Sequence, residues 1–169
     1  MRIGVTGHMN LTPDTVRLVS EALRSHLEQV DGEVVGVSCV ARGADSLFAE
    51  AVLAVGGTLE VVLPSRDYRE VAGGPEHVEL LDRLVGKAAH VKVMDFDHAG
   101  LEAYVAANQA MLGVIDELVA VWDGKPAAGK GGTAEVVAEA RARGLPVLVI
   151  WPEGASREVT AGDESFTAG

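Results

Sequence analysis

The chain of 169 residues carries a single cysteine, Cys39, which excludes an intramolecular disulfide framework and a clustered cysteine metal site. Cys39 ends an apolar run, where a small core residue is favoured over a nucleophile. The five histidines, His8, His26, His77, His90 and His98, show no metal-ligand spacing, so neither a metal nor a cofactor is expected. No apolar run approaches the ~20 residues of a membrane span. The first residues form a strand pattern instead of the charged and apolar regions of a signal peptide, so a cytoplasmic protein without a membrane partner is expected. Basic residues are scarce: 14 Lys and Arg stand against 25 Asp and Glu, for a net charge of −11. Without a concentrated basic stripe such a chain repels a phosphate backbone, and no nucleic-acid partner is expected. A small phosphate-bearing ligand held by N–H groups and one or two cations escapes that objection. Two nucleotide signatures are also missing: Lys130 precedes the Gly131-Gly132 pair, so there is no Walker A loop, and there is no GxGxxG.

What is present is an alternation. Apolar runs at Ile3–Thr6, Val34–Cys39, Leu59–Leu63, His90–Met94, Leu118–Trp122 and Val147–Trp151 are separated by helix-like segments, the signature of repeated βαβ units. Short, continuously apolar strands suit a sheet covered on both faces. The helical stripes match: Val16, Val19, Leu23, Leu27 and Val30 form one, and Leu47, Phe48, Ala51 and Val55 another. The expected architecture is α/β, a doubly wound, mostly parallel, Rossmann-like sheet of about six or seven strands with helices on both faces. One domain over residues 1–152 accounts for the length. From 153 to 169 the chain is rich in glycine, serine, threonine and glutamate and reads as a flexible tail.

Three strand-to-helix turns carry the chemistry. In Val37-Ser38-Cys39-Val40-Ala41-Arg42-Gly43-Ala44-Asp45 the end of a strand meets the start of a helix, where free N–H groups and the helix dipole favour an anion. Arg42 offers a planar charge for phosphate or carboxylate, Gly43 allows close backbone approach, and Asp45 falls in the first helical turn. The alternative is an ordinary helix start with Asp45 as a cap and Arg42 in a surface ion pair. Near the other end, Trp122-Asp123-Gly124 leads through Gly131 and Gly132 to Thr133, the expected N-cap of a helix from Ala134 to about Arg143. At the amino terminus Gly7 and His8 precede a helix that starts at Thr12-Pro13. His8 can donate to a phosphate, act as acid or base, or serve as a local hydrogen-bonding group. Asp123 can accept from ribose hydroxyls or shape a turn.

Two further features border this edge. Asn108 interrupts the apolar stripe Leu101, Tyr104, Val105, Met111, Leu112, Ile115; as a buried amide it needs partners, and it either braces a loop or lines the pocket. The stretch 65–75 is long for a loop and is expected to act as a lid, poorly ordered without ligand, whose Arg66, Tyr68 and Arg69 reach a ligand.

These residues resemble a known family. Val37–Asp45 followed by Gly57-Thr58-Leu59-Glu60-Val61-Val62-Leu63-Pro64 is similar to the Rossmann-type core of DNA-processing protein A, with its serine-glycine-x-alanine-arginine-glycine-isoleucine-aspartate turn. Gly131-Gly132-Thr133-Ala134-Glu135 is similar to the glycine loop of the LOG phosphoribohydrolases, although Glu135 stands two residues after Thr133 where those enzymes have three. Both belong to the SLOG superfamily. The resemblance implies a nucleotide or phosphoribosyl ligand at the C-terminal edge of the sheet, bound as in a sensor, with Gly7, His8, Arg42, Gly43, Asp45, Arg66, Asn108, Gly131, Gly132 and Thr133 around it and a homo-oligomeric assembly. A second reading is cleavage of an N-glycosidic bond in a nucleoside monophosphate, with Glu135 or Asp123 as the catalytic carboxylate. A third is an assembly protein whose fold is only a scaffold.

Overall fold

A computed structural model describes residues 1–127 and 132–158. The elements follow as β1 (Arg2–Gly7), α1 (Pro13–Glu28), β2 (Val35–Ser38), α2 (Ala44–Ala54), β3 (Thr58–Leu63), α3 (Tyr68–Val71), α4 (Pro75–Lys87), β4 (His90–Val93), α5 (Leu101–Leu112), β5 (Glu117–Val121), α6 (Thr133–Ala142) and β6 (Val147–Ile150). The six strands form one sheet in the order β4-β3-β2-β1-β5-β6, and every neighbouring pair is parallel. The chain winds outward from β1 to β4 in one direction and then returns to lay β5 and β6 on the other side, so the topology reverses between β1 and β5.

Local sequence explains the elements. α1 starts where Thr12, in an extended conformation, accepts the Thr15 N–H at 3.3 Å, with Pro13 at the first position. Its buried stripe Val19, Leu23, Leu27 packs with Phe48 and Val52 of α2 against Ile3 and Val5 of β1. On the other face Ala107, Met111 and Leu112 of α5 join Val136 and Ala140 of α6 over Val37 and Leu118. β2 stops at Ser38 because Val40, a β-branched residue, takes φ +49°, a left-handed conformation that costs about 1–3 kcal/mol.

Two expectations change. Residues 65–75 are not an open lid: they contain α3 and the start of α4, and Ser65 and Tyr68 are buried. Tyr68 anchors the segment by meeting Tyr104 edge to face with ring centroids 6.4 Å apart. The described part of the supposed tail, 153–158, is docked on the body. Ser156 N–H donates to Thr15 Oγ1 at 2.8 Å, Glu158 N–H to Asn10 O at 2.7 Å, and Arg157 bridges Leu11 and donates to Asn10 Oδ1 at 2.9 Å. Polar composition did not stop this segment from docking, because its backbone groups find partners in the β1–α1 turn. Residues 159–169 lie outside the described residues.

Candidate functional site

The C-terminal edge of the sheet gathers its side chains from separate turns. Above the β1–β5 reversal, Gly7 pairs with Val121, and a Cβ on Gly7 would lie 2.4 Å from that of Ala44, so only glycine lets α2 come this close. His8 follows. Its N–H donates to Val121 O at 3.1 Å, its carbonyl accepts the Ala44 N–H at 3.1 Å, and its Nε2 accepts the Asp123 N–H at 3.1 Å. The Ala44 N–H expected to await an anion is thus occupied by the protein's own backbone. Because Nε2 accepts, the ring proton belongs on Nδ1, a buried atom without a partner among the described residues. Burial, reinforced by Arg157, lowers the imidazole to about 4 against the pull of Asp123. His8 is therefore neutral near pH 7, with Trp151 edge-on at 5.6 Å.

Asp123 forms the start of the following loop. Burial opposes its ionisation, but the Lys125 N–H on Oδ1 at 3.0 Å and Arg157 at 3.5 Å hold it below the usual carboxylate range, while its own N–H is taken by His8. It is a charged turn residue tied on three sides. Gly132, not Thr133, is the N-cap of α6; Thr133 is its buried first residue. Gly131 lies outside the described residues.

The β2–α2 turn forms the second half. Gly43 takes φ +76°, and a Cβ there would sit 2.5 Å from His8 O. Asp45, read as a first-turn acid, is 1% exposed. Its Oδ2 accepts the Ala41 N–H at 3.3 Å and its Oδ1 has no partner among the described residues. Burial pushes its carboxyl up to about 8, opposed by the Ala41 N–H. Arg42 is exposed and makes no ion pair among the described residues. It runs beside Gly73, whose added Cβ would meet Arg42 Cδ at 3.2 Å, and near His77, whose pKa burial and Arg42 both lower. Arg66, expected to reach a ligand, is instead fastened to Asp95 and, at 2.9 Å, to Asp97 in the loop after β4. Asn108 is buried and lines two spaces: a cavity of about 10 Å³ shared with Asp45, and a groove of about 450 Å³ between α5 and α6 shared with Glu135.

The structure thus brings together Gly7, His8, Gly43 and Asp123, joins Asp45 to Asn108, and joins Asn108 to Glu135, while Arg66 stands apart. Sequence reasoning missed Thr6, whose buried Oγ1 has no partner, the cavity-lining Tyr104, and Arg157. Tyr104 and Asn108 share a helix face at i, i+4, a readable signal; nothing local marked Arg157. A larger groove of about 640 Å³, lined by Glu21, Arg24, Glu50 and Arg83 among others, lies on the outer helices away from this edge.

No protein-family model matches the chain and no curated protein matches it. Solved structures do. DNA processing protein A from Streptococcus pneumoniae matches with a TM-score of 0.66 and 19% identity over 90% of this chain and 51% of that one. DNA processing protein A from Helicobacter pylori, described for its unique single-stranded DNA binding mode, matches with a TM-score of 0.62 and 17% identity over 93% and 68%. TM1055, a structural genomics target, matches with a TM-score of 0.54 and 18% identity over 86% and 71%. This chain spans about half the length of the Streptococcus protein. The fold is Rossmann-like and is shared with these structures. The comparison also corrects one expectation: a neighbour with this fold binds single-stranded DNA, so a net charge of −11 does not exclude nucleic acid. Net charge averages over the whole surface, whereas single strands are held by a local groove and by stacking. Among the described residues no helix is long and apolar enough to cross a membrane.

Proposed function

We propose that this chain binds a nucleotide or nucleotide-derived, phosphoribosyl ligand at the C-terminal edge of its sheet. One observation carries the reading. The four buried side-chain atoms without a hydrogen-bond partner among the described residues, Thr6 Oγ1, His8 Nδ1, Asp45 Oδ1 and His77 Nε2, all belong to this edge. Native proteins satisfy nearly all such atoms, and open α/β sheets bind ligands where the strand order reverses. Arg42, which has no carboxylate partner among the described residues, supplies a cation suited to phosphate, and α6 begins at the same edge, with Gly132 as its N-cap.

Single-stranded nucleic acid is a second reading, favoured by the Helicobacter neighbour, because a strand presents the same phosphates and bases. Thermal denaturation with AMP, ADP-ribose, NAD and a short oligothymidylate tests both. A ligand at a hundred times its dissociation constant adds about 2.7 kcal/mol. A transition that moves with the mononucleotides supports the first reading, and one that moves only with the oligonucleotide supports the second. An unmoved transition throughout refutes both.

A further inference from the structure

Asp45 is placed where its chemistry has no internal use. A carboxylate buried on every side, with one long hydrogen bond and no paired cation, is too costly to keep ionised, so Asp45 carries a proton near neutral pH, in keeping with its raised value of about 8. Oδ2 is taken by the Ala41 N–H, and the proton therefore belongs on Oδ1, the oxygen without a partner. The cavity that Asp45 lines with Tyr68, Tyr104, Ala107 and Asn108 holds about 10 Å³, room for one atom group the size of water. A group that enters it and pairs with Oδ1 must accept a hydrogen bond.

Asn108 lines both this cavity and the larger groove between α5 and α6, where Val105, Leu112 and Val136 provide apolar walls. A group that offers one acceptor to the small cavity while lying on those walls is a planar ring with a carbonyl at its edge. Asn108, with both a donor and an acceptor, matches the ring N–H beside such a carbonyl. We propose that Asp45 and Asn108 form a base-reading subsite that takes the carbonyl edge of a nucleobase, leaving the phosphate to Arg42 and the glycine turns. This rests on the nucleotide reading above and adds to it which end of the ligand faces α5.

Calorimetric titration with three probes tests it: inosine 5′-monophosphate, purine riboside 5′-monophosphate, which lacks the carbonyl and the ring N–H beside it, and ribose 5-phosphate, which lacks the base. The expected result is at least tenfold tighter binding of inosine monophosphate than of purine riboside monophosphate. Asp45→Ala abolishes this preference while ribose 5-phosphate affinity stays unchanged. Asp45→Asn, whose amide still donates, keeps it. From pH 6.5 to pH 8, a range in which the inosine ring N–H keeps its proton, the preference weakens in the unmodified protein and persists in Asp45→Asn. The other groups facing Asp45 do not titrate in this range: Cys39, Tyr68 and Tyr104 are raised by burial, and Arg42 is a guanidinium. Equal affinity for the two nucleotides, or a preference that survives Asp45→Ala, overturns the subsite. Should Asp45→Ala not fold, the pH comparison with Asp45→Asn decides alone, a preference insensitive to pH counting against the proposal. Ribose 5-phosphate binding with no gain from the base refutes the subsite and spares the phosphate site; no binding of any probe refutes the nucleotide reading itself.

Discussion

Replacing Asp45 by asparagine should stabilise the protein, and by an amount that depends on pH. In the unfolded chain the carboxyl titrates at its ordinary 3.8, whereas in the folded protein it is held at about 8, first by burial. A raised folded value gives a contribution that is complete below the unfolded pKa and is lost as pH climbs to the folded one. Between pH 4 and pH 7 the unfolded state has released the proton and the native state has kept it, so stability falls by about 1.4 kcal/mol per pH unit. The loss reaches at most about 4 kcal/mol at pH 7, less whatever a water in the neighbouring cavity recovers. Asparagine has the same shape, can still accept the Ala41 N–H, and pays no such penalty. Urea denaturation of both proteins at intervals from pH 4.5 to pH 8.5, with the denaturant slope checked for constancy, should show a difference near zero at the acid end that grows in favour of Asp45→Asn and levels off above pH 8. Comparing the two proteins also cancels His8, whose lowered value of about 4 makes stability fall as pH drops from the ordinary histidine range toward 4, opposite in sign to Asp45. A difference that does not change with pH, or an asparagine variant less stable throughout, would mean that Asp45 is ionised and held by a partner.

Gly43→Ala should destabilise by more than about 2 kcal/mol, since it combines an unfavourable φ of +76° with a Cβ 2.5 Å from His8 O; a loss under about 0.5 kcal/mol in the same urea assay would refute the close approach. Arg157→Ala should raise the His8 imidazole toward its ordinary value, because Arg157 is one of the two influences that lower it; an imidazole titration followed by NMR that stays put would show the docked segment to be absent in solution. Glu135→Gln should leave AMP affinity within about threefold, as expected of an exposed groove residue in a binding site and not a catalytic carboxylate; release of free base from a nucleoside monophosphate by the unmodified protein, lost in the variant, would establish the hydrolase instead.

The sheet was legible because each strand is a short apolar run and each helix has a stripe at its own period, two signals that depend on neighbouring residues alone. The strand ends were less so. The run through Cys39 looks continuous, yet the strand stops at Ser38, whose hydroxyl accepts the Val40 N–H at 3.0 Å and donates to Asp45 O at 3.0 Å, turning the chain out of the sheet. Gly7 and Gly43 could be recognised as places of close approach, although what approaches them, Ala44 and His8 O, is a matter of packing. Asp45 was legible as a first-turn acid or cap but its burial was not, because burial of a helix's first turn is decided by what lies over it. Here those are Tyr68 and Tyr104, far along the chain. Arg66 looked available for the same reason: its partners Asp95 and Asp97 follow a different strand.

The two edges of the sheet differ in how completely they are finished. At the N-terminal edge the polar groups close on one another. The Arg2 guanidinium donates to both oxygens of Glu60 at 2.8 Å, Asp116 accepts the Arg2 N–H at 2.8 Å, and His26 meets Glu117 at 2.6 Å. At the C-terminal edge Thr6, His8, Asp45 and His77 each leave a buried atom unsatisfied, and Val40 adds backbone strain beside them. Each such group costs about 1–3 kcal/mol, a large share of the roughly 5–15 kcal/mol that holds a domain together. The same chain builds both edges with the same parallel strands, so neither the fold nor the composition requires the second to be left open. A ligand that supplies donors and acceptors there recovers part of this cost on binding, which couples occupancy to stability. Amide exchange should therefore slow from Val40 to Asp45 and around His8 when AMP is bound, and leave the Arg2, Glu60 and Glu117 region unchanged. Protection spread evenly over both edges would contradict a site confined to the C-terminal edge.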